Sequence, residues 1–235
     1  MKFGVVVFPG SNCDDDMVYV LQELVGASVR KIWHKEYSLE GFGPEDCIIL
    51  PGGFSYGDYL RSGAIARISH IMDAVIAHAA KGGYVFGICN GFQILCESGL
   101  LPGALLSNQN QKYISKNIHL RVETNNRLLT SSLEPGSVLT MPMAHGEGRY
   151  YCDAQTLSDL KENDQILFRY CTLDGVVDDA NILNGSVEHI AGICNKEGNV
   201  FGMMPHPERA SESVVGLEDG RILFENLLKI PVHQL

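Results

Sequence analysis

The sequence lacks any apolar run long enough to cross a lipid bilayer. A membrane helix needs about 18 or more consecutive apolar residues, and no stretch of this 235-residue chain reaches that length. Residues 1–8 also lack the basic start and the long apolar centre of a secretory signal. We therefore expect no membrane association and predict a first β-strand at this position.

Basic residues are scarce relative to acidic ones. The chain has 18 lysines and arginines against 28 aspartates and glutamates, a formal net charge of −10. Proteins that bind nucleic acids or anionic membranes need a basic surface. The composition therefore argues against a nucleic-acid partner, although it leaves room for a local basic pocket.

The seven cysteines are scattered and form no C-x-x-C pair. An odd, dispersed set of thiols is unlike a disulfide framework or a four-cysteine zinc site. We expect a reducing, cytoplasmic environment and no metal. His145 and Glu147 offer two conceivable zinc ligands, but no further ligands follow at a suitable spacing.

The usual phosphate-binding loops are missing as well. The chain has no G-x-x-x-x-G-K-[ST] motif and no G-x-G-x-x-G after the first predicted strand. We therefore expect no nucleotide cofactor on this chain.

The pattern of apolar residues predicts one α/β domain over residues 1–235. In the first half, predicted strands (3–8, 28–33, 47–50 and 84–88) alternate with predicted helices (14–25, 62–80 and 92–98). Such alternation indicates a mostly parallel central sheet with helices on both faces. The second half predicts an antiparallel β addition of short strands (118–122, 138–141, 165–170, 187–191 and 200–203), then a helix over 219–228.

Cys89 is the strongest candidate for chemistry. It stands in the sequence Gly87-Ile88-Cys89-Asn90-Gly91, between a predicted strand and a predicted helix. This is the pattern of a nucleophile elbow, in which the flanking glycines avoid clashes and the helix N-terminus favours a thiolate. Most cysteines are simply small buried apolar residues. The alternative nucleophile is Cys13, but it lacks paired glycines and precedes three aspartates.

His206 and Glu208 form the candidate base and its orienting group. Prolines follow Met204 and His206, so both residues are biased toward an extended backbone. In an extended chain, residues i and i+2 project to the same side. Glu208 can therefore reach the imidazole of His206, although the same segment could be a plain proline-rich turn.

Two backbone N–H groups are predicted to hold an oxyanion. One belongs to Asn90, directly after the nucleophile, and the other belongs to Gly53. Gly52 and Gly53 follow a predicted strand, and a glycine pair there lets the backbone approach a ligand closely. The same pair could also be a simple turn.

Assembled, these segments resemble the class I (triad) glutamine amidotransferases, and within them the glutaminase subunits of purine biosynthesis. The likeness is carried by residues 7–14, 57–61, 63–67, 87–95, 144–150, 184–186 and 203–209. It implies a flavodoxin-like fold, with Cys89 as nucleophile, His206 as acid and base, and Glu208 as orienter. It also implies that Gln93, and Gly52 beside the oxyanion donor, contact the substrate L-glutamine.

The resemblance further implies partners. Ammonia released from glutamine would pass to a large synthetase subunit that binds ATP, Mg²⁺ and formylglycinamide ribonucleotide, and a small third subunit would complete the assembly. The loop carrying His145, Glu147 and Arg149 is the candidate interface. Two alternatives stay open: a glutaminase for another acceptor enzyme, and a non-catalytic partner with an inert thiol.

Overall fold

The computed structural model describes residues 1–178 and 184–229. The domain predicted over 1–235 thus includes two short segments, 179–183 and 230–235, that lie outside the described residues. The strands are β1 (Lys2–Val7), β2 (Ser28–Trp33), β3 (Cys47–Leu50), β4 (Tyr84–Ile88), β5 (Ala104–Leu106), β6 (Ile114–Val122), β7 (Val138–His145), β8 (Arg149–Tyr151), β9 (Ile166–Cys171), β10 (Ile190–Cys194) and β11 (Val200–Met203). The helices are α1 (Asp14–Tyr19), α2 (Ala64–Arg67), α3 (His70–Ala80), α4 (Asn90–Glu97), α5 (Ala154–Glu162) and α6 (Arg221–Leu228).

Nine strands form one mixed sheet in the order β2-β1-β3-β4-β11-β10-β9-β6-β7. The strands from β2 to β11 pair in parallel, in the flavodoxin-like order 2-1-3-4-5, with β11 as the fifth. The strands from β11 to β7 pair antiparallel. The predicted mostly parallel sheet with an antiparallel addition is confirmed, and the addition extends the same sheet.

The inner parallel strands β1, β3, β4 and β11 are mostly buried, whereas the edge strand β2 is mostly exposed. Strand β3 is entirely buried, and the core contains large side chains such as Phe3, Phe86 and Phe201. Buried parallel strands read as continuous apolar runs rather than alternating ones. This explains why their limits were visible in the sequence.

The helix predicted over 62–80 is wrong in one respect, because the chain forms two helices there. Helix α2 ends at Arg67, and α3 begins at His70 after a break at Ile68 and Ser69. Ser69 has an extended backbone and its hydroxyl donates to the carbonyl of Ala66. Ile68, which lies in this break, is 72% exposed.

Two further differences concern the second half. The strand predicted over 187–191 begins with a 3₁₀ turn, Val187–His189, and extended structure starts only at Ile190. Helix α5 and the small antiparallel sheet β5-β8 were not predicted. Among the described residues, no helix is both long and apolar enough to cross a membrane.

Candidate active site

Cys89 occupies the strained turn between β4 and α4. Its backbone angles are φ 50° and ψ −106°, a region that ordinary residues rarely adopt. A Cβ atom on Gly91 would overlap the carbonyl oxygen of Leu50, and one on Gly87 would lie 2.6 Å from the backbone of Gly91. The predicted need for both glycines is therefore confirmed by close packing.

The sheet register brings the C-terminal segment to this turn. Met203 of β11 pairs with Ile88 of β4, and the N–H of Cys89 donates to the carbonyl of Met203 at 2.8 Å. His206 follows β11 by three residues, and its N–H donates to the carbonyl of Pro142 at 2.9 Å. The ends of two adjacent parallel strands thus place residues 89 and 206 at the same edge.

His206 and Glu208 form a buried pair. Nδ1 of His206 lies 2.6 Å from Oε1 of Glu208, and their side chains are 3% and 0% exposed. The predicted contact is confirmed, but the backbone reaches it differently. His206 has an extended backbone, but Pro207–Arg209 is a 3₁₀ turn, so the extended conformation does not continue to Glu208.

The surroundings of His206 favour its protonated form. Burial opposes the charge, but the Glu208 carboxylate and the sulfurs of Cys89 and Cys13 outweigh burial and hold the pKa of His206 well above its ordinary value. An imidazolium beside a thiol stabilises the thiolate. The pair can therefore supply both a nucleophile and a proton donor.

Cys13 is a member of the site that the sequence interpretation set aside. Its sulfur, a ring nitrogen of His206 and a carboxylate oxygen of Glu208 all lie within 4.8 Å of one another. Nη2 of Arg209 donates to the same sulfur at 3.2 Å. Cys13 is 2% exposed, and it contacts the imidazole from a different chain segment than Cys89 does.

The three aspartates after Cys13 do not act as an unbalanced negative cluster. Asp14 and Asp15 both form ion pairs with Lys31, and Asp16 pairs with Arg209. All three carboxylates are therefore paired with basic side chains, and the arginine that pairs with Asp16 lies 193 residues further along the sequence. The expectation that they disfavour a thiolate at residue 13 stays a prediction.

Cys13, His206 and Glu208 are the one group of three possible metal ligands that the described part of the chain brings together. The hydrogen bond between His206 and Glu208, and the donation from Arg209 to Cys13, already use these atoms. A positively charged guanidinium on a ligand sulfur also repels a cation. The geometry fits an acid–base pair better than a metal site.

The two predicted oxyanion donors lie beside Cys89. Asn90 is the first residue of α4, so its N–H has no partner within the helix. Gly53 has φ 131° and lines the cavity at Cys89. Gly53 forms an isolated antiparallel β-bridge with Ser11. The backbone hydrogen bond in this bridge is donated by the N–H of Phe54 to the carbonyl of Gly10, and not by the N–H of Gly53. Their roles as donors stay a prediction.

Gly52 packs against the imidazole rather than lining the cavity. A Cβ atom there would lie 2.7 Å from Cε1 of His206 and 3.1 Å from the sulfur of Cys13. Its contact with substrate stays a prediction, but the structure gives a separate reason for glycine at this position. Any side chain would displace His206.

A cavity of about 200 Å³ opens at the sulfur of Cys89. Sites for drug-sized ligands are roughly 300–1,000 Å³, so this one suits a smaller molecule. Its lining comprises Gly53, Phe54, Asp58, Ser62, Cys89, Gln93, Tyr113, Ala144, His145, Gly146 and Glu147. Gln93, predicted to contact substrate, donates from Nε2 to the carbonyl of Glu147 and accepts from Asn90 at 2.9 Å.

The interface predicted at residues 145–149 needs a correction for His145. Its side chain is 3% exposed and lines the cavity, so it is unavailable to a docking protein. Burial, with a smaller effect of His206, lowers the pKa of His145 to about 4, so the ring is neutral at pH 7. Glu147 and Arg149 are partly exposed, and an interface role for them stays a prediction.

Comparison with known proteins defines the class of this site. Residues 1–217 match the family model for CobB/CobQ-like glutamine amidotransferase domains. The chain is therefore a glutamine amidotransferase, an enzyme of class I, as its motifs predicted.

Individual relatives narrow the family. The chain is 54% identical over 228 residues to phosphoribosylformylglycinamidine synthase subunit PurQ of Gloeobacter violaceus, covering 97% of both chains. It is 55% identical over 227 residues to the same subunit of Salinibacter ruber, covering 97% of this chain and 95% of that one. A chain in the structure of PurLQS from Thermotoga maritima matches with a TM-score of 0.84 and 44% identity, covering 97% of each. The chain belongs to the PurQ family.

Proposed function

We propose that this chain is the glutaminase subunit of a phosphoribosylformylglycinamidine synthase, with Cys89, His206 and Glu208 as its catalytic triad. The observation that carries the proposal is the strained elbow cysteine beside a buried histidine–glutamate pair, at the mouth of a small cavity. A nucleophile, a base and a group that orients the base are the parts that covalent acyl transfer needs.

The first half of the reaction forms a thioester. The Cys89 thiolate attacks the side-chain carboxamide carbon of L-glutamine, and a carbon–sulfur bond forms. His206, held protonated by Glu208, gives its proton to the amide nitrogen. The carbon–nitrogen bond then breaks, and ammonia leaves.

The second half hydrolyses the thioester. His206 is now neutral and takes a proton from water, whose oxygen attacks the γ-glutamyl carbonyl carbon. The carbon–sulfur bond breaks, glutamate is released, and the thiolate–imidazolium pair is restored. Both tetrahedral intermediates carry an oxyanion, for which the N–H groups of Asn90 and Gly53 are the donors. One such donor contributes about 3–4 kcal/mol to transition-state stabilisation.

The ammonia is used by a second polypeptide. We propose a large synthetase subunit that converts formylglycinamide ribonucleotide to formylglycinamidine ribonucleotide in purine biosynthesis, together with a small third subunit. The similarity to a chain of PurLQS over 97% of both lengths supports an assembly of this kind. Glu147 and Arg149, partly exposed beside the cavity, are our interface candidates.

Cofactors belong to the synthetase in this proposal. The sequence has no phosphate-binding loop of the recognised types, so ATP and Mg²⁺ are assigned to the partner and none to this chain. We also propose a cytoplasmic location. It is supported by the seven cysteines, all of which lie in the described part of the chain and are free thiols.

The test is glutaminase activity of the purified chain, alone and with the synthetase of the same organism. Cys89→Ser should lower the rate at least about 1,000-fold, since loss of the nucleophile removes the covalent route. Cys171→Ser, a partly exposed thiol on β9 outside the cavity, is the matched control and should keep its activity. Equal rates for Cys89→Ser and wild type would refute the triad.

The acceptor is tested separately. Adding the synthetase with formylglycinamide ribonucleotide and ATP should stimulate glutamine hydrolysis and produce formylglycinamidine ribonucleotide. If only an unrelated acceptor enzyme stimulated hydrolysis, the chain would serve another synthetase. If no glutamine were hydrolysed under any condition, the chain would be a non-catalytic partner.

A further inference from the structure

Two carboxylates line the cavity with no basic side chain to balance them. Asp58 and Glu147 both face it, while none of the described residues that line it is a lysine or arginine. Neither carboxylate forms an ion pair with a described residue, in contrast to Asp14, Asp15 and Asp16 nearby. Two neighbouring like charges in a partly buried cleft are unfavourable unless a cation or a proton compensates part of the charge.

The hydrogen bonds that hold these carboxylates do not satisfy both. The hydroxyl of Ser62, a buried residue, donates to Oε2 of Glu147 at 2.6 Å and also lies within hydrogen-bonding reach of Asp58. A hydroxyl has one proton, so it serves one carboxylate at a time. Among the described residues, the remaining side-chain donor to Asp58 is Nδ2 of Asn90, at a long 3.3 Å.

His145 supplies an independent sign of a ligand in the same cavity. It lines the cavity and is 97% buried, yet neither ring nitrogen has a hydrogen-bond partner among the described residues. Buried polar atoms are rarely left unpaired. An unpartnered imidazole beside an uncompensated pair of acids indicates that a polar, cationic molecule completes the site.

The backbone of the loop that carries Asp58 is strained. Tyr56, Asp58 and Leu60 have φ values of 53°, 55° and 70°, a region that favours glycine. A loop with three such residues keeps its strained backbone only because the surrounding structure enforces it. Strain of this kind concentrates at ligand sites.

We propose that Asp58 and Glu147, bridged by Ser62, bind the α-ammonium group of the glutamine whose carboxamide reacts with Cys89. This inference rests on the proposed function and adds the group that selects an α-amino acid. The two carboxylates and Cys89 line one small cavity, so a single ligand spans them. An amide without an α-ammonium group leaves the acid pair unbalanced and binds weakly.

The test compares two reagents that alkylate Cys89. The diazoketone 6-diazo-5-oxo-L-norleucine carries the α-ammonium group, and iodoacetamide does not. The second-order labelling rate at Cys89 is measured for each by mass spectrometry, with the isolated chain and with its synthetase complex. For wild type, we expect the diazoketone to be strongly preferred.

Asp58→Asn and Glu147→Gln should each lower the ratio of the diazoketone rate to the iodoacetamide rate about 10- to 100-fold. That is the loss expected for one hydrogen bond to a charged group. Asparagine tolerates a positive φ as aspartate does, so Asp58→Asn keeps the loop. The control is Asp73→Asn, an exposed acid on α3 outside the cavity, which should keep the wild-type ratio.

The outcomes separate this inference from the proposed function. If wild-type Cys89 reacts with neither reagent in the chain or the complex, the proposed function fails. If wild type prefers the diazoketone and both variants keep the wild-type ratio, only the ammonium site is refuted. A wild-type ratio that requires Mg²⁺ and is abolished by a chelator would also refute it, because the acids would then hold a metal.

Discussion

Oε1 of Glu208 accepts a hydrogen bond from Nδ1 of His206 across 2.6 Å, and both side chains are withdrawn from solvent. A carboxylate in this place fixes the tautomer of the ring and stabilises its positive charge. The second ring nitrogen is thereby left to serve the sulfur of Cys89. The distance between the partners follows from a 3₁₀ turn of three residues, so it needs no long-range folding to be set.

Glu208→Gln should move the alkaline limb of the pH–rate profile to lower pH. The carboxylate raises the pKa of His206, so its removal lets the imidazolium lose its proton at lower pH. We also expect kcat/KM to fall at least about 100-fold, a typical contribution of acid–base catalysis.

The measurement is kcat/KM for glutamine from pH 5 to pH 10, with Glu225→Gln as the control. Glu225 is partly exposed, pairs with Arg221 on α6 and does not line the cavity. A profile for Glu208→Gln with its alkaline limb unmoved would contradict the assigned role of the glutamate.

Cys13→Ala should act through His206 rather than through nucleophilic attack. The sulfur of Cys13 contributes to the raised pKa of His206, so its loss should move the alkaline limb to lower pH, by less than in Glu208→Gln. Covalent labelling should remain at Cys89. Detection of the γ-glutamyl adduct on Cys13 in the wild type would show that Cys13, and not Cys89, is the nucleophile.

The sequence was sufficient for the parallel core and for the elbow because both depend on local signals. Strands β3, β4 and β11 have the limits that their apolar runs predicted, and the mostly exposed strand β2 also has its predicted limits. The need for glycine in the Gly-x-Cys-x-Gly pattern is also local, because each glycine packs against backbone atoms a few residues away or on the next strand.

What the sequence could not show depends on strand order. Cys13 reaches His206 because the parallel strands β1 and β11 end at the same edge of the sheet. The Arg209–Asp16 ion pair beside them joins residues that are 193 positions apart in the sequence. Asp58 and Glu147 likewise come from distant segments, and they meet at the side chain of Ser62, which belongs to no recognised motif. These contacts depend on how distant segments pair in the fold. The periodicity of apolar residues along the sequence does not predict that pairing.

Gly91→Ala should destabilise the fold as well as the site. The added methyl group would overlap the carbonyl of Leu50, and neither β3 nor α4 can move without disturbing the core. Overpacking of this kind costs about 1–3 kcal/mol. Urea unfolding should show the loss, whereas Gly146→Ala, whose methyl group would meet nothing closer than 3.7 Å, should unfold as wild type does. Equal midpoints for the two variants would contradict the steric argument.

The affinity for the diazoketone should depend on the charge of Asp58. Burial, reinforced by Glu147, raises the pKa of Asp58 to about 6. As the pH falls through this value the carboxylate gains a proton, the acid pair loses charge, and the attraction for an ammonium group weakens. We therefore expect KI to rise below about pH 6, approaching tenfold for each further unit of pH.

The other titratable groups that line the cavity should not mask this effect in KI. The pKa of His145 is lowered to about 4 by burial, and that of Tyr113 is raised by burial and by Cys89, so neither changes charge between pH 5 and 7. The alkylation step at Cys89 is reported by kinact, separately from the binding step that KI reports. In Glu147→Gln the repulsion on Asp58 is gone, so the midpoint should move to lower pH. A KI that stays constant from pH 5 to pH 7 in the wild type would show that the charge of Asp58 does not contribute to binding.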